Sequence, residues 1–123
     1  MNRSQNGYAD AIENETISNT DYRRVLYTGK FQLVLMSLKP GEEIGEEVHE
    51  DHDQFFRFEA GIGKVTINGE EISVIDGDAV VVPAGSKHNV INTSTEEELK
   101  LYTIYAPPQH SDGTVQHSKT EVE

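Results

Sequence analysis

The chain has 123 residues, no cysteine and a formal net charge of -12 at pH 7. Its length suits a single domain, and the lack of cysteine excludes disulfides, thiolate metal sites and a cysteine nucleophile. The negative charge disfavours nucleic acid and anionic membranes as partners, because both repel an acidic protein.

The first twenty residues are polar and show no periodicity. We therefore expect residues 1–20 to form a flexible arm or to lead into an edge strand. The start of the chain carries no apolar stretch typical of a secretory signal, and no segment approaches the roughly 20 apolar residues of a membrane span. A cytoplasmic location is the resulting expectation.

Short β-favouring runs separated by turn residues occupy residues 22–105. Asn68 and Gly69 lie between two of these runs and predict a type I′ hairpin, because both residues tolerate positive φ. The pattern contains roughly eight to ten strands and no long amphipathic helix, which predicts an all-β antiparallel sandwich or barrel over residues 21–106. Pro107 ends the last run, since proline cannot donate to a β-ladder. Residues 107–123 are then a polar surface tail.

The most informative segment is GDAVVVPAGSKHNVIN, residues 77–92. It resembles the second sequence motif of the cupin family at its defining positions, which are Gly77, Pro83, Gly85, His88 and Asn92. Gly77 and Gly85 suit turns that need positive φ, and His88 begins a strand facing inward. An isolated histidine would be a core residue satisfied by a backbone carbonyl, but within this motif the resemblance implies a metal ligand.

The segment upstream, residues 41–61, resembles the first cupin motif, although the residue types at two of its ligand positions differ. The family pattern has two histidines two residues apart and then a glutamate, and these slots hold Glu47, His49 and Gln54 here. The resemblance therefore implies one divalent transition metal (Fe, Mn, Ni, Co or Zn) bound by Glu47, His49, Gln54 and His88. Two imidazoles and one carboxylate suit such ions, with Gln54 as a weak neutral fourth ligand.

Strand parity constrains how these side chains meet. A spacing of two places Glu47 and His49 on the same face of a strand. Gln54 has the opposite parity to His49, so a bulge or loop over residues 50–53 must turn it inward. The neighbours that then point inward are Phe56 and Phe58, and those that point outward are Phe55 and Arg57.

His52 is a competing histidine in the same segment. Its spacing of three from His49 directs it to the opposite face of a regular strand, so we predict that His52 is an exposed loop residue. Asp51 and Asp53 are predicted to be exposed with it. The alternative for these two carboxylates is that they stabilise the loop or orient a ligand.

The last β-run predicts an inward face that includes Tyr105. With Lys100 directed to solvent, the inward residues are Leu99, Leu101, Thr103 and Tyr105. Tyr105 is either a packing residue or a catalytic residue whose hydroxyl orients substrate or passes a proton. His110 and His117 in the tail are expected to be solvated, the alternative being a tail that folds back over the barrel mouth or onto a partner subunit.

The cupin resemblance covers roughly residues 31–105 and is greatest for small one-domain bacterial cupins labelled as similar to mannose-6-phosphate isomerase. It implies a β-barrel or jelly roll, a metal near its centre and a homodimer. Our first hypothesis is a metal-dependent isomerase or lyase acting on a small oxygenated, sugar-like substrate. The alternatives are a non-haem iron dioxygenase and a non-enzymatic small-molecule binding or sensory module.

Overall fold

The computed structural model describes residues 1–121 of the chain. Most of the regular structure in this range is β-strand. In chain order the elements are α1 (Ile12–Ser18), β1 (Arg23–Thr28), β2 (Gln32–Leu38), β3 (Glu47–Val48), β4 (Asp53–Ala60), β5 (Ile62–Ile67), β6 (Glu70–Ile75), β7 (Ala79–Val82), β8 (Lys87–Asn92), β9 (Leu99–Ala106), β10 (Val115–Gln116) and a 3-10 helix (Lys119–Glu121).

The strands form two antiparallel sheets. The larger sheet has the order β10-β1-β2-β9-β4-β7 and the smaller sheet has the order β3-β8-β5-β6. The hydrophobic core combines buried side chains from both sheets, for example Val34 and Phe58 from the larger sheet and Val65 and Val90 from the smaller one. The predicted all-β antiparallel barrel or jelly roll is confirmed, and the core lies between its two sheets.

The predicted hairpin turn is also confirmed. Asn68 and Gly69 have φ values of 49° and 87°, and the flanking residues Ile67 and Glu70 pair across β5 and β6. Both central residues are therefore in the left-handed region that a type I′ turn requires.

Strand β4 has the predicted parity. Phe56 and Phe58 are almost completely buried, whereas Phe55 and Arg57 on the other face are partly exposed. A turn at Glu50 and Asp51 carries the chain from β3 in the smaller sheet to β4 in the larger one. This change of sheet resets the alternation of side chains, as the opposite parity of Gln54 required.

The prediction that Lys100 faces solvent is wrong. Only 8% of Lys100 is exposed, and its Nζ donates to the backbone oxygen of Asn19 and to Ser37 Oγ. Nζ also lies 2.7 Å from a carboxylate oxygen of Glu98. The outer face of the larger sheet is covered by the segment around α1, a short helix that the sequence pattern did not reveal.

The division of the chain into an arm, a barrel and a tail, with boundaries at residues 20/21 and 106/107, stays a prediction. Within residues 1–121, neither helix is long and apolar enough to cross a membrane.

Candidate metal centre

Glu47, His49 and His88 converge at one place in the fold. Glu47 on β3 pairs directly with His88 on β8, and His49 follows β3 with its side chain toward the same point. One ligand atom from each residue lies within 4.8 Å of the others, a separation at which the three could hold a metal ion. We call these three residues the candidate cluster.

The hydrogen bonds of His88 leave its Nε2 facing another acceptor. His88 is 3% exposed, and its Nδ1 lies 3.0 Å from the backbone oxygen of Ser86, which can only accept a hydrogen bond. A neutral ring that donates from Nδ1 has no hydrogen on Nε2. That Nε2 nevertheless lies 3.2 Å from Gln54 Oε1, also an acceptor.

Gln54 holds this orientation through a neighbouring strand. Its Nε2 donates to Thr103 Oγ1 on β9 over 2.9 Å, and its Oε1 points toward His88. Two facing acceptors repel each other unless a cation or a second proton on the ring lies between them. The alternative for His88 was a core histidine satisfied by a backbone carbonyl. The Ser86 carbonyl explains the position of Nδ1 in this way, but it does not explain why Nε2 faces an acceptor.

His49 presents a second imidazole nitrogen that makes no hydrogen bond. Its Nε2 is buried without a hydrogen bond and lies 3.5 Å from Glu47 Oε1. Burial lowers the pKa of His49, although the neighbouring Glu47 carboxylate opposes this shift. The lowered pKa favours the neutral ring, which is the form that coordinates a metal.

The prediction that His52 is an exposed loop residue is wrong. His52 is only 6% exposed, and its ring stacks on that of His49 with 4.6 Å between centroids. Strand parity does not apply to it, because the turn at Glu50 and Asp51 folds His52 back over His49. The available sequence signal was this turn-prone pair between the two histidines.

The two carboxylates beside His52 have different roles. Asp51 stays exposed, and its Oδ1 lies 2.9 Å from His52 Nδ1. Asp53 Oδ1 accepts a hydrogen bond from the backbone nitrogen of Ala84 and so connects β4 to the loop before β8. His52 Nε2 is buried without a hydrogen-bond partner. The contact to Asp51 leaves this Nε2 as an acceptor in the neutral ring.

Tyr105 lies beside these histidines. It is 3% exposed, and its ring contacts those of His49 and His52 edge-on at 5.9 and 5.8 Å. Burial raises the pKa of Tyr105 far above its ordinary value. The hydroxyl therefore keeps its proton, so it can donate a hydrogen bond and cannot serve as a base.

The start of the tail folds back over this end of the barrel. Gln32 Nε2 donates to the backbone oxygen of His110, and Gln32 Oε1 accepts from the backbone nitrogens of Gln109 and His110. The His110 ring is half-buried and packs edge-on against Tyr105 at 5.3 Å. The expectation of a solvated His110 is thus wrong, whereas the His117 side chain is 71% exposed beside Asp21.

Comparison with known proteins identifies the family of the chain. The family model for the cupin domain matches residues 34–105, more than half of the chain and the region that contains both motifs. Protein YrkC of Bacillus subtilis is 48% identical over an alignment of length 117 that covers 89% of this chain and 62% of YrkC. Protein L612 of Acanthamoeba polyphaga mimivirus is 42% identical over 88% of this chain and 70% of its own length.

A solved structure has the same fold over almost the whole chain. The crystal structure of BH2720 from Bacillus halodurans superposes with a TM-score of 0.92 at 43% identity, covering 98% of this chain and 96% of BH2720. The chain spans about two thirds of the length of the two curated relatives. On the match to the family model and on these relatives, the chain belongs to the cupin family.

Proposed function

We propose that this cupin binds one divalent transition metal through Glu47, His49, Gln54 and His88, and that it is an isomerase or lyase acting on a small oxygenated, sugar-like substrate. The observation that carries the proposal is the candidate cluster, in which one carboxylate and two imidazoles meet within 4.8 Å. The His49 Nε2, which makes no hydrogen bond, and the acceptor pair of His88 and Gln54 both fit a cation-binding site.

The donor set suits borderline metals. Two imidazoles and a carboxylate bind Fe, Mn, Ni, Co or Zn, and the Gln54 amide oxygen is a neutral and weaker donor. When bound, such an ion supplies Lewis-acid chemistry by chelating neighbouring substrate oxygens and polarising a carbonyl.

The residues around the candidate cluster support proton transfer. The Tyr105 hydroxyl is a donor that keeps its proton, and His52 Nε2 is a buried acceptor on the same side. Asp51 orients the His52 ring from its Nδ1 side. A substrate hydroxyl can therefore donate to His52, while a carbonyl oxygen of the substrate accepts from Tyr105.

Metal binding is expected to stabilise the fold. A ligand that binds only the native state, present at a hundredfold excess over its Kd, adds about 2.7 kcal/mol to the free energy of unfolding. For a chain of this size the melting temperature should rise by roughly 10 °C. Elemental analysis of the purified protein, followed by thermal unfolding with each candidate metal and with a chelator, measures this. Protein that carries no metal and melts at the same temperature with every ion would favour a non-enzymatic binding module.

The fourth ligand is expected to contribute less than the others. Gln54→Ala should weaken metal binding about tenfold, because it removes a neutral oxygen and leaves the carboxylate and both imidazoles in place. Isothermal titration of the chelator-treated variant with the native metal measures the change. Gln109→Ala, at an exposed glutamine, is the matched control. An unchanged affinity in Gln54→Ala would remove Gln54 from the ligand set.

An iron dioxygenase is the second candidate, favoured by the two-histidine, one-carboxylate composition of the candidate cluster. The discriminating experiment is a substrate screen of iron-loaded protein in an oxygen electrode. Oxygen consumption in the presence of a diol or diketone supports the dioxygenase. Turnover under anaerobic conditions supports the isomerase or lyase.

We also propose a homodimer and a cytoplasmic location. The dimer is supported by the family, and light scattering of the purified chain tests it. Fractionation of cells that express the protein tests the proposed location.

A further inference from the structure

Arg23 is a buried cation without an acidic partner. It is 4% exposed and shares its face of β1 with the core residue Val25. Among residues 1–121, no aspartate or glutamate forms an ion pair with Arg23. The nearest acid in sequence, Asp21, is engaged by Arg24 and His117. A buried charge without a counter-charge is costly, so this position is unusual unless a ligand supplies the negative group.

One edge of the Arg23 guanidinium is anchored and the other is unused. Nη1 donates to Gln116 Oε1 on β10, and Cζ lies 5.2 Å from the centre of the Tyr22 ring. Nε is buried without a hydrogen-bond partner, and within residues 1–121 no acceptor bonds to Nη2. The N–H groups of Nε and Nη2 lie along the same edge of the planar group. This edge can receive both oxygens of a carboxylate.

The charge of Arg23 acts at the end of the barrel that holds the candidate cluster. Burial is the main cause that lowers the pKa of His110 to about 4, and the Arg23 guanidinium adds to this effect. Arg23 also opposes the rise in the pKa of Tyr105 that burial causes. The Tyr105 ring in turn contacts His49 at 5.9 Å. Because His110 is neutral at pH 7, it adds no positive charge beside Arg23.

We propose that Arg23 binds a carboxylate of the substrate, so that the chain acts on a small hydroxy acid or sugar acid. The assignment rests on the proposed function, because an acid whose carboxylate is held by Arg23 would turn its hydroxyl or carbonyl oxygens toward the candidate cluster. A planar carboxylate matches the single free edge of the guanidinium. The net charge of -12 gives no long-range attraction for an anion, so recognition depends on this local contact.

The test compares acids with neutral molecules of similar shape. Nuclear magnetic resonance titrations of the full chain, first treated with chelator and then loaded with zinc, would use D-galacturonate against D-galactose and D-glycerate against glycerol. We expect each acid to bind about tenfold or more tightly than its neutral counterpart in the chelator-treated chain, since a charge-assisted bidentate pair is worth at least that ratio.

Three variants separate recognition from a structural role. Arg23→Gln should lose the preference for acids, and Arg23→Lys should keep only part of it, because lysine retains the charge without the bidentate edge. Gln116→Ala removes the anchor but leaves the cation, and should retain a clear preference. If Arg23→Gln does not fold, Arg23→Lys decides. A purely structural arginine would instead change the binding of acids and neutral molecules equally.

Several results would overturn the assignment. These are equal binding of acid and neutral partner, no binding of either acid, a preference that survives in both Arg23 variants, and a preference that appears only with zinc and is unaffected by Arg23→Lys. The last result would assign acid recognition to chelation alone. A chain that prefers acids through Arg23 but binds no metal would instead refute the proposed function and leave the carboxylate contact standing.

Discussion

Replacement of His88 by alanine is expected to abolish metal binding. His88 contributes one of the two imidazoles of the candidate cluster, and its Nε2 faces Gln54 Oε1 as well. Loss of groups that merely orient metal ligands costs about 10–100-fold in affinity, so removal of a direct ligand should cost more than about 100-fold. Isothermal titration of the chelator-treated His88→Ala protein with the native metal measures the loss, and elemental analysis gives the stoichiometry.

Folding of the His88 variant is the necessary control. The side chain is buried, so its removal also leaves a cavity, and the thermal transition of the metal-free variant must be compared with that of the metal-free parent. His117→Ala is the matched substitution, because this histidine is largely exposed and lies outside the candidate cluster. A folded His88→Ala protein with full metal stoichiometry would refute the ligand assignment.

Replacement of Gly61 by alanine is expected to destabilise the fold strongly. Gly61 connects β4 in the larger sheet to β5 in the smaller one and has a φ of 93°. A Cβ there would lie 2.5 Å from the backbone oxygen of Glu98 and 3.1 Å from Leu99 Cα. Backbone strain of about 1–2 kcal/mol adds to overpacking of about 1–3 kcal/mol, so the free energy of unfolding should fall by about 3 kcal/mol or more.

Gly77 offers a control with the same backbone angle. Its φ is also 93°, but no heavy atom lies within 4 Å of a Cβ built there. Gly77→Ala should therefore lose only the strain, about 1–2 kcal/mol. Urea unfolding of the two variants separates the contributions. If both variants lose the same free energy of unfolding, the chain around Gly61 and the start of β9 moves apart easily. Close packing at Gly61 would then not be required for the connection between the two sheets.

The local features of this protein were predictable where neighbouring residues decide them. The hairpin at Asn68 and Gly69 depends on two residues that tolerate positive φ. The inward direction of Phe56 and Phe58 follows from alternation once Gln54 is turned inward. The matched motif positions likewise located the residues of the candidate cluster. Within a short segment, the spacing of two residues decides whether their side chains point to the same face of a strand.

Contacts between distant segments were not predictable in this way. Lys100 is on the outward side of β9, as alternation requires, but it is buried because the segment after α1 lies over that face. His52 was misassigned because strand parity was applied across a turn.

The sequence by itself determined the strand alternation, the turn glycines and the identity of the donor atoms at the candidate metal centre, since these depend on residues near one another in the chain. Only the tertiary structure decided that His52, Tyr105 and His110 gather beside the cluster and that Arg23 is buried without an acidic partner. The physical reason is that burial and pairing depend on which strands and loops pack together. No local pattern encodes that packing.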